Sequence, residues 1–299
     1  LHFDRFKPKF YIMFALFKSK ENLGILFAIA AYLSFSFLDA IQKTLVIYYS
    51  VFQILFFKYS FTLFLSFIES RRKNNLKFYI TYNWKMQILR SILSIVESGL
   101  FVLAFKYLSL ADAHSIGAST PIIVVVFSII FLKEKVTAKI WIAIFIGFLG
   151  VLIIMRPGLS IFEFKALIPL SAAFFLGLYQ VVTRKVSEQD ENETSLLYSG
   201  ITGIIVMASL CVFFWQPVTL EFIPFFVGVG FFYSMGLYLQ IIALSKSSAS
   251  IIQPFHYTLI FWAIILGYIF YNDVPDLFTV IGGTIIALSG IYVFRNKGN

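Results

Sequence analysis

Long apolar runs alternate with short polar segments over almost the whole chain. Ten runs each hold roughly 20 residues, the length at which an α-helix crosses a hydrocarbon core about 30 Å thick. They lie at residues 22–43, 46–68, 84–106, 110–132, 137–155, 163–184, 195–215, 221–244, 249–271 and 275–294. The pattern predicts an all-α integral membrane protein with ten transmembrane helices.

Composition supports this class. The 299 residues are 60% hydrophobic and 13% charged, so too few polar residues are present to cover a soluble core. The single cysteine, Cys211, excludes a disulfide framework and a cysteine-based metal site, and no metal or cofactor is predicted. A net charge of +9 would suggest nucleic acid for a soluble protein, but here most cations stand between apolar runs. The lipid bilayer, not nucleic acid, is the expected partner.

The distribution of basic residues predicts the orientation of the chain. If the N-terminus is cytoplasmic, about 18 of the 24 Lys and Arg residues fall on that side, so both termini are expected in the cytoplasm. Residues 1–20 form a basic segment before the first span. Its regularly spaced phenylalanines predict either an amphipathic helix on the inner leaflet or a frayed basic tail: Phe3, Phe6, Phe10, Phe14 and Phe17.

The two halves of the chain are similar. The stretch F-L-K-E-K-V-T-A-K-I-W at residues 131–141 corresponds to F-Y-N-D-V-P-D-L-F-T-V at 270–280, so that Glu134 matches Asp273. Five spans per half is an odd number, and the second half must therefore enter the membrane upside down. We predict two inverted five-helix repeats, at residues 21–156 and 157–299, around a central cavity. Inverted repeats are typical of transporters that work by alternating access.

Several motifs resemble a known family. The ten spans, P-I-I-V-V-V-F-S-I-I-F-L-K-E-K from Pro121 and the closing G-x-x-G pattern resemble the EamA-type drug/metabolite transporters. The stretches F-L-D-A-I-Q-K, F-K-Y, I-L-R and P-F-H-Y-T-L-I-F-W-A are similar to the alphaproteobacterial branch of S-adenosylmethionine and riboflavin importers. The resemblance implies a multi-pass protein of the bacterial inner membrane. That branch usually has arginine in place of Lys58 and often an acid in place of Gln180, so no substrate identity is carried over.

Charged residues inside the apolar runs are the first candidates for a site. Glu97 lies halfway along the third span, on the same helical face as Arg90, and Lys58 reaches a similar depth in the second. Because an ionised acid in lipid is costly, these residues should face the interior. They either tie helices together as an ion pair, or Glu97 meets a cationic or zwitterionic substrate or carries a proton.

Two equivalent stripes are candidates for gates. Asp39 and Lys43 end the first span at one membrane surface, and Gln180 and Arg184 end the sixth span at the other. Inversion relates the two stripes, so each could close one mouth of the cavity. The alternative is a pair of solvated interfacial contacts.

The fourth and ninth spans carry histidine and proline at similar depths. Pro121 and Pro254 predict interrupted helices, which mark substrate sites in transporters with repeats. We therefore include the neighbouring polar and aromatic residues as candidate substrate-binding residues, with packing as the alternative for each: His114, Gln253, His256, Tyr257 and Trp262. Tyr198, near the start of the seventh span, is a further candidate, because an aromatic ring could hold a methylated cation or stack on a flat ring; packing is again the alternative.

These features predict a secondary transporter for a small polar metabolite, cationic or zwitterionic: S-adenosylmethionine-like, amino-acid-like or a quaternary amine. A flavin or nucleoside-like cargo is the alternative. A membrane-embedded enzyme is a third reading, suggested by H-S-I-G-A-S-T at residues 114–120, but His114 and Ser119 face different ways on one helix. We therefore predict that the chain is not an enzyme. Proton coupling, uniport and exchange stay open, as does the choice between monomer and homodimer.

Overall fold

The computed structural model describes residues 19–108, 110–156, 164–271 and 276–296. Most of these residues are helical, and none of them is in a β-strand. The α-helices, numbered in chain order within the described ranges, are α1 Lys20–Tyr48, α2 Val51–Arg72, α3 Trp84–Tyr107, α4 Leu110–Gly117, α5 Thr120–Phe127, α6 Ala138–Met155, α7 Leu167–Val186, α8 Asn192–Phe214, α9 Ile223–Lys246, α10 Ala249–His256, α11 Thr258–Tyr271 and α12 Leu277–Asn296. A π-helical turn, Ser128–Leu132, continues α5.

Polar caps begin the first three helices. The side chains of Ser19, Ser50 and Asn83 each accept a hydrogen bond from the backbone N–H three residues later. Ser50 also corrects the predicted boundary between the first two spans, which the hydrophobic pattern sets near residue 45. Helix α1 continues to Tyr48, and the Ser50 side chain caps the start of α2.

The described residues form the helical structure expected of a multi-pass membrane protein. Seven segments are long and apolar enough to cross a membrane: Lys20–Tyr48, Val51–Arg72, Trp84–Tyr107, Phe164–Val186, Asn192–Phe214, Leu220–Lys246 and Ala249–Leu266. Three further apolar helices are shorter: Thr120–Leu132, Ala138–Ile154 and Leu277–Val293. Taken together in chain order, the seven long segments and the three shorter helices overlap the ten predicted runs.

Two of the predicted runs are interrupted. The fourth run divides into α4 and α5 at Ala118 and Ser119, and the ninth divides into α10 and α11 at Tyr257. Pro121 lies in the first turn of α5, where its missing N–H costs nothing. Pro254 lies inside α10 and cannot donate the i to i−4 hydrogen bond, which favours a break just after it.

The helices pack in long-range pairs: α1 on α9, α3 on α7, α2 on α8 and α6 on α12. Glycines allow the last of these contacts. A Cβ atom on Gly150 of α6 would lie 2.9 Å from the carbonyl oxygen of Gly282 of α12, closer than real Cβ contacts. The backbones of α6 and α12 can therefore approach only because neither residue has a side chain.

Two features of the sequence lie outside the described residues. They are the basic segment before the first span, apart from Ser19 and Lys20, and Asp273, the acid that matches Glu134. Glu134 itself contacts the second half, where its carboxylate accepts hydrogen bonds from the backbone N–H groups of Ala249 and Ser250, both at 3.0 Å. The acid between the fourth and fifth runs thus caps the first turn of α10.

Candidate functional site

A cavity of about 970 Å³, counting its opening, lies at the centre of the helices. Eight helices line it: α1, α2, α3, α4, α7, α9, α10 and α11. The lining mixes phenylalanine and leucine with tyrosine, glutamine, histidine and three charged residues. It is thus a mostly apolar chamber with a small number of polar groups, as ligand sites usually are.

The three charged residues that line the cavity are Asp39, Lys58 and Glu97. The Lys58 side chain is 1% exposed, and its Nζ donates to Ser98 Oγ at 2.7 Å and lies 4.6 Å from the centre of the Tyr233 ring. The ring face and the hydroxyl oxygen both stabilise the ammonium charge. These contacts fix the position of Lys58. We call the end of the cavity where Lys58 and Asp39 lie the charged end.

Glu97 differs from the other two charged residues because it is unpaired. Within the described part of the chain it makes no hydrogen bond and no ion pair within 4.0 Å, although it lines the same cavity as Lys58. The direct Lys58–Glu97 pair considered from the sequence is therefore not formed. The ammonium is bound instead by Ser98, the next residue of α3.

Asp39 has two neighbours on its own side of the cavity. Gln42 Nε2 donates to Asp39 Oδ1 at 3.3 Å, and His114 Nε2 lies 3.7 Å from Asp39 Oδ2. Asp39 therefore connects α1 with α4, the helix next to the first break, while it still lines the cavity.

The aromatic wall is held by hydrogen bonds behind it. The Tyr233 hydroxyl donates to the Tyr59 hydroxyl at 3.1 Å, and Arg90 Nη1 donates to the Tyr179 hydroxyl at 3.4 Å. Arg90 is fully buried and also donates to Ser199 Oγ at 2.7 Å. The rings of Tyr179 and Tyr233 are thus fixed as flat surfaces facing the cavity.

The other end of the cavity carries uncharged polar groups. Gln253 Nε2 donates to Gln180 Oε1 at 2.8 Å, and the rings of Tyr32 and His256 meet edge to face at 5.0 Å. Gln240 lies beside Tyr32. Several of these polar atoms find no partner among the described residues: the Tyr32 hydroxyl, both amide atoms of Gln240 and Nδ1 of His256.

Two basic residues bind the C-terminal ends of helices. Lys43 Nζ donates to the carbonyl oxygens of Leu108 at 3.2 Å and Phe105 at 3.5 Å, at the end of α3. Arg184 Nη1 donates to the carbonyl oxygen of Leu244 at 2.8 Å, at the end of α9. Cations are favourable there because the last carbonyl groups of a helix lack partners and carry partial negative charge.

The structure brings together seven of the residues singled out from the sequence. Those that line the cavity are Asp39, Lys58, Glu97, His114, Gln180, His256 and Tyr257. Arg90 and Gln253 are buried just behind the lining, where they bind Tyr179 and Gln180. Lys43 and Arg184 bind the helix ends described above.

Two predicted substrate-binding residues lie elsewhere. The Tyr198 hydroxyl donates to the carbonyl oxygen of Tyr79 at 3.5 Å, in the connection between α2 and α3. Trp262 packs beside Phe261 on α11, outside the cavity lining. Neither an aromatic side chain near the start of a span, as for Tyr198, nor polar neighbours along the chain, as for Trp262, determines whether the side chain lines the cavity.

Three important lining residues were not chosen as site residues from the sequence: Tyr32, Tyr179 and Gln240. A signal was present for Gln240, the only strongly polar residue in G-L-Y-L-Q-I-I-A-L at residues 236–244. An amide that faces lipid costs free energy, and the same reasoning directed Glu97 and Lys58 towards the interior. The tyrosines are too common in this chain to stand out.

Comparisons with known proteins agree with this architecture. The profile of the EamA-like transporter family matches residues 22–156 and again residues 164–295. A solved crystal structure superposes with a TM-score of 0.77 at 13% identity, covering 94% of this chain and 99% of its own, so the fold is shared.

Curated relatives include transporters with different cargoes. The S-adenosylmethionine uptake transporter of Rickettsia bellii is 24% identical over 278 residues, covering 92% of this chain and 94% of the relative. The pseudopaline exporter of Pseudomonas aeruginosa is 24% identical over 276 residues, with 92% and 96% covered. The riboflavin transporter of Vibrio cholerae is 25% identical over 215 residues, with 71% and 72% covered.

Proposed function

Because the chain belongs to the EamA-like transporter family, we propose that it is a secondary transporter that moves a small cationic or zwitterionic metabolite across the bacterial inner membrane by alternating access. Family membership makes the chain a transporter and not an enzyme. It also implies a small-molecule substrate, whose chemical class is the subject of the proposal.

The observation that carries the proposal is the unpaired carboxylate of Glu97. A carboxylate removed from bulk water loses several kcal/mol of hydration unless a partner replaces the water. Glu97 faces the cavity and, among the residues described, has no hydrogen-bond or ion-pair partner. A positively charged substrate group would supply that partner. Glu97 is also the group that would carry a coupled proton.

The position of Lys58 extends the substrate class to zwitterions. Lys58 lines the same cavity as Glu97, and its ammonium donates one hydrogen bond, to Ser98. The other two N–H groups of the ammonium have no hydrogen-bond acceptor among the described residues. An anionic group of the substrate, such as a carboxylate, could accept from these donors while the cationic group meets Glu97 or Asp39. The uptake transporter of Rickettsia bellii carries the name of such a compound, S-adenosylmethionine.

A flavin or nucleoside-like cargo is the second candidate. The tyrosines of the cavity wall and the amides of Gln180 and Gln240 would suit a planar ring, and one relative is a riboflavin transporter. Such a cargo would leave Glu97 without a cationic partner. We therefore rank it second.

The packing of the helices supports two inverted repeats at residues 21–156 and 157–299. In the two halves, α1, α2, α3 and α6 correspond to α7, α8, α9 and α12. When each helix is replaced by its counterpart, the contact of α1 with α9 becomes the contact of α7 with α3, and the contacts α2–α8 and α6–α12 stay the same. All four major contacts are therefore symmetric. Because each half holds five apolar segments, a copy related in this way lies upside down. Ten segments bring both termini to one side of the membrane, and the distribution of basic residues supports the cytoplasm as that side.

The two basic residues at helix ends are proposed as gates. Lys43 connects α1 to the end of α3, and Arg184 connects α7 to the end of α9. The same exchange of halves relates these two contacts. In an inverted pair they lie towards opposite membrane surfaces, so breaking one while keeping the other would open the cavity to one side. Asp39 and Gln180 lie on the cavity side of these contacts.

The test is uptake into proteoliposomes with a panel of radiolabelled compounds: S-adenosylmethionine, amino acids, quaternary amines and riboflavin. We expect a cationic or zwitterionic compound to accumulate, and Glu97→Gln to reduce its uptake about tenfold or more, since each 1.4 kcal/mol of lost binding energy corresponds to a factor of ten. Glu221→Gln, at an exposed acid outside the cavity, is the matched control and should transport normally. Normal uptake by a correctly folded Glu97→Gln protein contradicts the proposal.

A further inference from the structure

The uncharged end of the cavity contains buried polar atoms that the protein leaves without partners. The side chains of Gln240 and Tyr32 are 3% and 1% exposed. The Gln240 amide lies beside the Tyr32 hydroxyl, yet neither makes a hydrogen bond of acceptable distance and angle with the described residues. Nδ1 of His256, whose ring touches that of Tyr32, is also unpartnered.

Such a cluster is unusual in a folded protein. Most buried polar side-chain atoms have a hydrogen-bond partner, because leaving one unsatisfied has a large desolvation penalty. Here both atoms of one amide, a donor and an acceptor, are buried and unpartnered together with a hydroxyl and a ring nitrogen, and all three residues that carry them line the same cavity. The unsatisfied groups are therefore positioned to bind a ligand that presents an acceptor next to a donor.

The position of this cluster relative to the charged end follows from helix geometry. Helices α1 and α9 are antiparallel, since Gly24 lies against Ser247 while Gly228 lies against Ile41. On α1, Asp39 lies seven residues beyond Tyr32. Seven residues are two turns on one face, about 10 Å along the axis.

Helix α9 repeats this separation in the opposite direction. Gln240 lies seven residues beyond Tyr233, the ring that contacts the Lys58 ammonium. The uncharged cluster and the charged end are therefore separated by about 10 Å along both helices. Asp39, which contacts Gln42, and Lys58, which contacts Ser98 and Tyr233, lie at the other end of the cavity. Glu97 directly precedes Ser98 on α3.

We propose that Tyr32, Gln240 and His256 form a second subsite, which binds an uncharged planar group with adjacent hydrogen-bond donor and acceptor, such as an amino-heterocycle or a primary amide, about 10 Å from the charged group. Gln can pair with such an edge through both amide atoms, and the rings beside it offer stacking surfaces. The substrate is then a two-part molecule. This inference rests on the proposed function and makes the substrate class narrower.

The subsite is tested by binding to the purified full-length protein, measured calorimetrically. The probes are L-methionine for the charged part, adenosine for the planar part and S-adenosylmethionine for both parts joined. We expect Gln240→Leu to weaken the binding of adenosine and S-adenosylmethionine about tenfold and to leave methionine unchanged. Glu97→Gln should weaken methionine and S-adenosylmethionine and leave adenosine unchanged.

A second measurement needs no ligand. Gln53 is a buried glutamine outside the cavity that makes two hydrogen bonds with the backbone of Gln216, at 2.8 and 3.0 Å. We expect Gln53→Leu to lower the Tm of the unliganded protein and to leave probe affinities unchanged. Gln240→Leu loses no hydrogen bond, so its Tm should equal or exceed that of the wild type.

The outcomes separate this inference from the proposed function. If Gln240→Leu binds all three probes as the wild type does, or lowers the Tm as Gln53→Leu does, the subsite is wrong while transport of a zwitterion is unaffected. If Gln240→Leu behaves as expected and Glu97→Gln transports and binds normally, the subsite stands and the charged site is wrong. A wild-type protein that binds none of the probes also contradicts the subsite.

Discussion

At the scale of single residues, Lys58 is the one cation among the described charged residues that line the cavity. Its ammonium is almost fully buried, with Ser98 Oγ and the Tyr233 ring as its contacts. These neutral partners replace only part of the hydration that a buried ammonium loses. The remaining stabilisation must come through space from Asp39 and Glu97, which line the same cavity. One cation thus faces two acids.

This arrangement predicts an energetic coupling between residues that do not touch. Lys58→Met leaves two acids without a cation and should lower the free energy of unfolding by about 1–3 kcal/mol. Adding Glu97→Gln should recover part of that loss, because one of the two carboxylates is then neutral. Unfolding of the single and double variants in mixed micelles measures the coupling. Strictly additive losses would show that Lys58 and Glu97 do not interact.

At the scale of elements, the short helix that begins the second broken span depends on a cap from the first half of the chain. Helix α10 has eight residues, too few to be stable alone, and its first N–H groups have no partner within the helix. The Glu134 carboxylate accepts from two of them and from the Ser250 hydroxyl. Because Glu134 follows α5 in the chain, this contact links one broken span to the other.

Removal of this cap should destabilise the protein. We expect Glu134→Ala to lower the free energy of unfolding by about 1–2 kcal/mol, the upper part of the range of about 0.5–2 kcal/mol for lost N-caps, because two backbone N–H groups lose their acceptor. Glu191→Ala is the matched control, since Glu191 stands before α8 but makes no capping hydrogen bond with its side chain. Thermal unfolding in detergent measures both. Equal Tm values for the two variants would contradict a stabilising role for Glu134.

At the scale of the whole molecule, inversion places equivalent connections on opposite sides of the membrane. The connection between the second and third spans carries the exposed Lys77, and the equivalent connection of the second half carries the exposed Glu221. The fold proposed here puts the first in the cytoplasm and the second outside, because five spans separate the two.

Labelling of single cysteines tests this arrangement. Cys211 is buried and is the one cysteine of the chain, so Cys211→Ala provides the background for Lys77→Cys and Glu221→Cys. A membrane-impermeant maleimide added to intact spheroplasts should label Glu221→Cys, whereas Lys77→Cys should react only after lysis. Labelling of both positions from the same side would rule out inverted repeats.

Much of this architecture follows from local chemistry. Apolar length predicts the helical membrane segments, and proline predicts the breaks after Ala118 and at Tyr257. The cost of charge in lipid predicts that Lys58 and Glu97 face inward. Position along one helix does not predict the partner of a long side chain, so the choice of Ser98 over Glu97 for Lys58 was not foreseeable.

The sequence by itself therefore determined the membrane class, the family and the expectation that Lys58 and Glu97 face the interior, because hydrophobic length and the energy of a buried charge depend on residue type. Only the tertiary structure decided which polar residues share the cavity. Helix rotation and packing, which depend on contacts between distant segments such as α1 and α9, directed Gln240 and Tyr32 into the chamber and Tyr198 and Trp262 away from it.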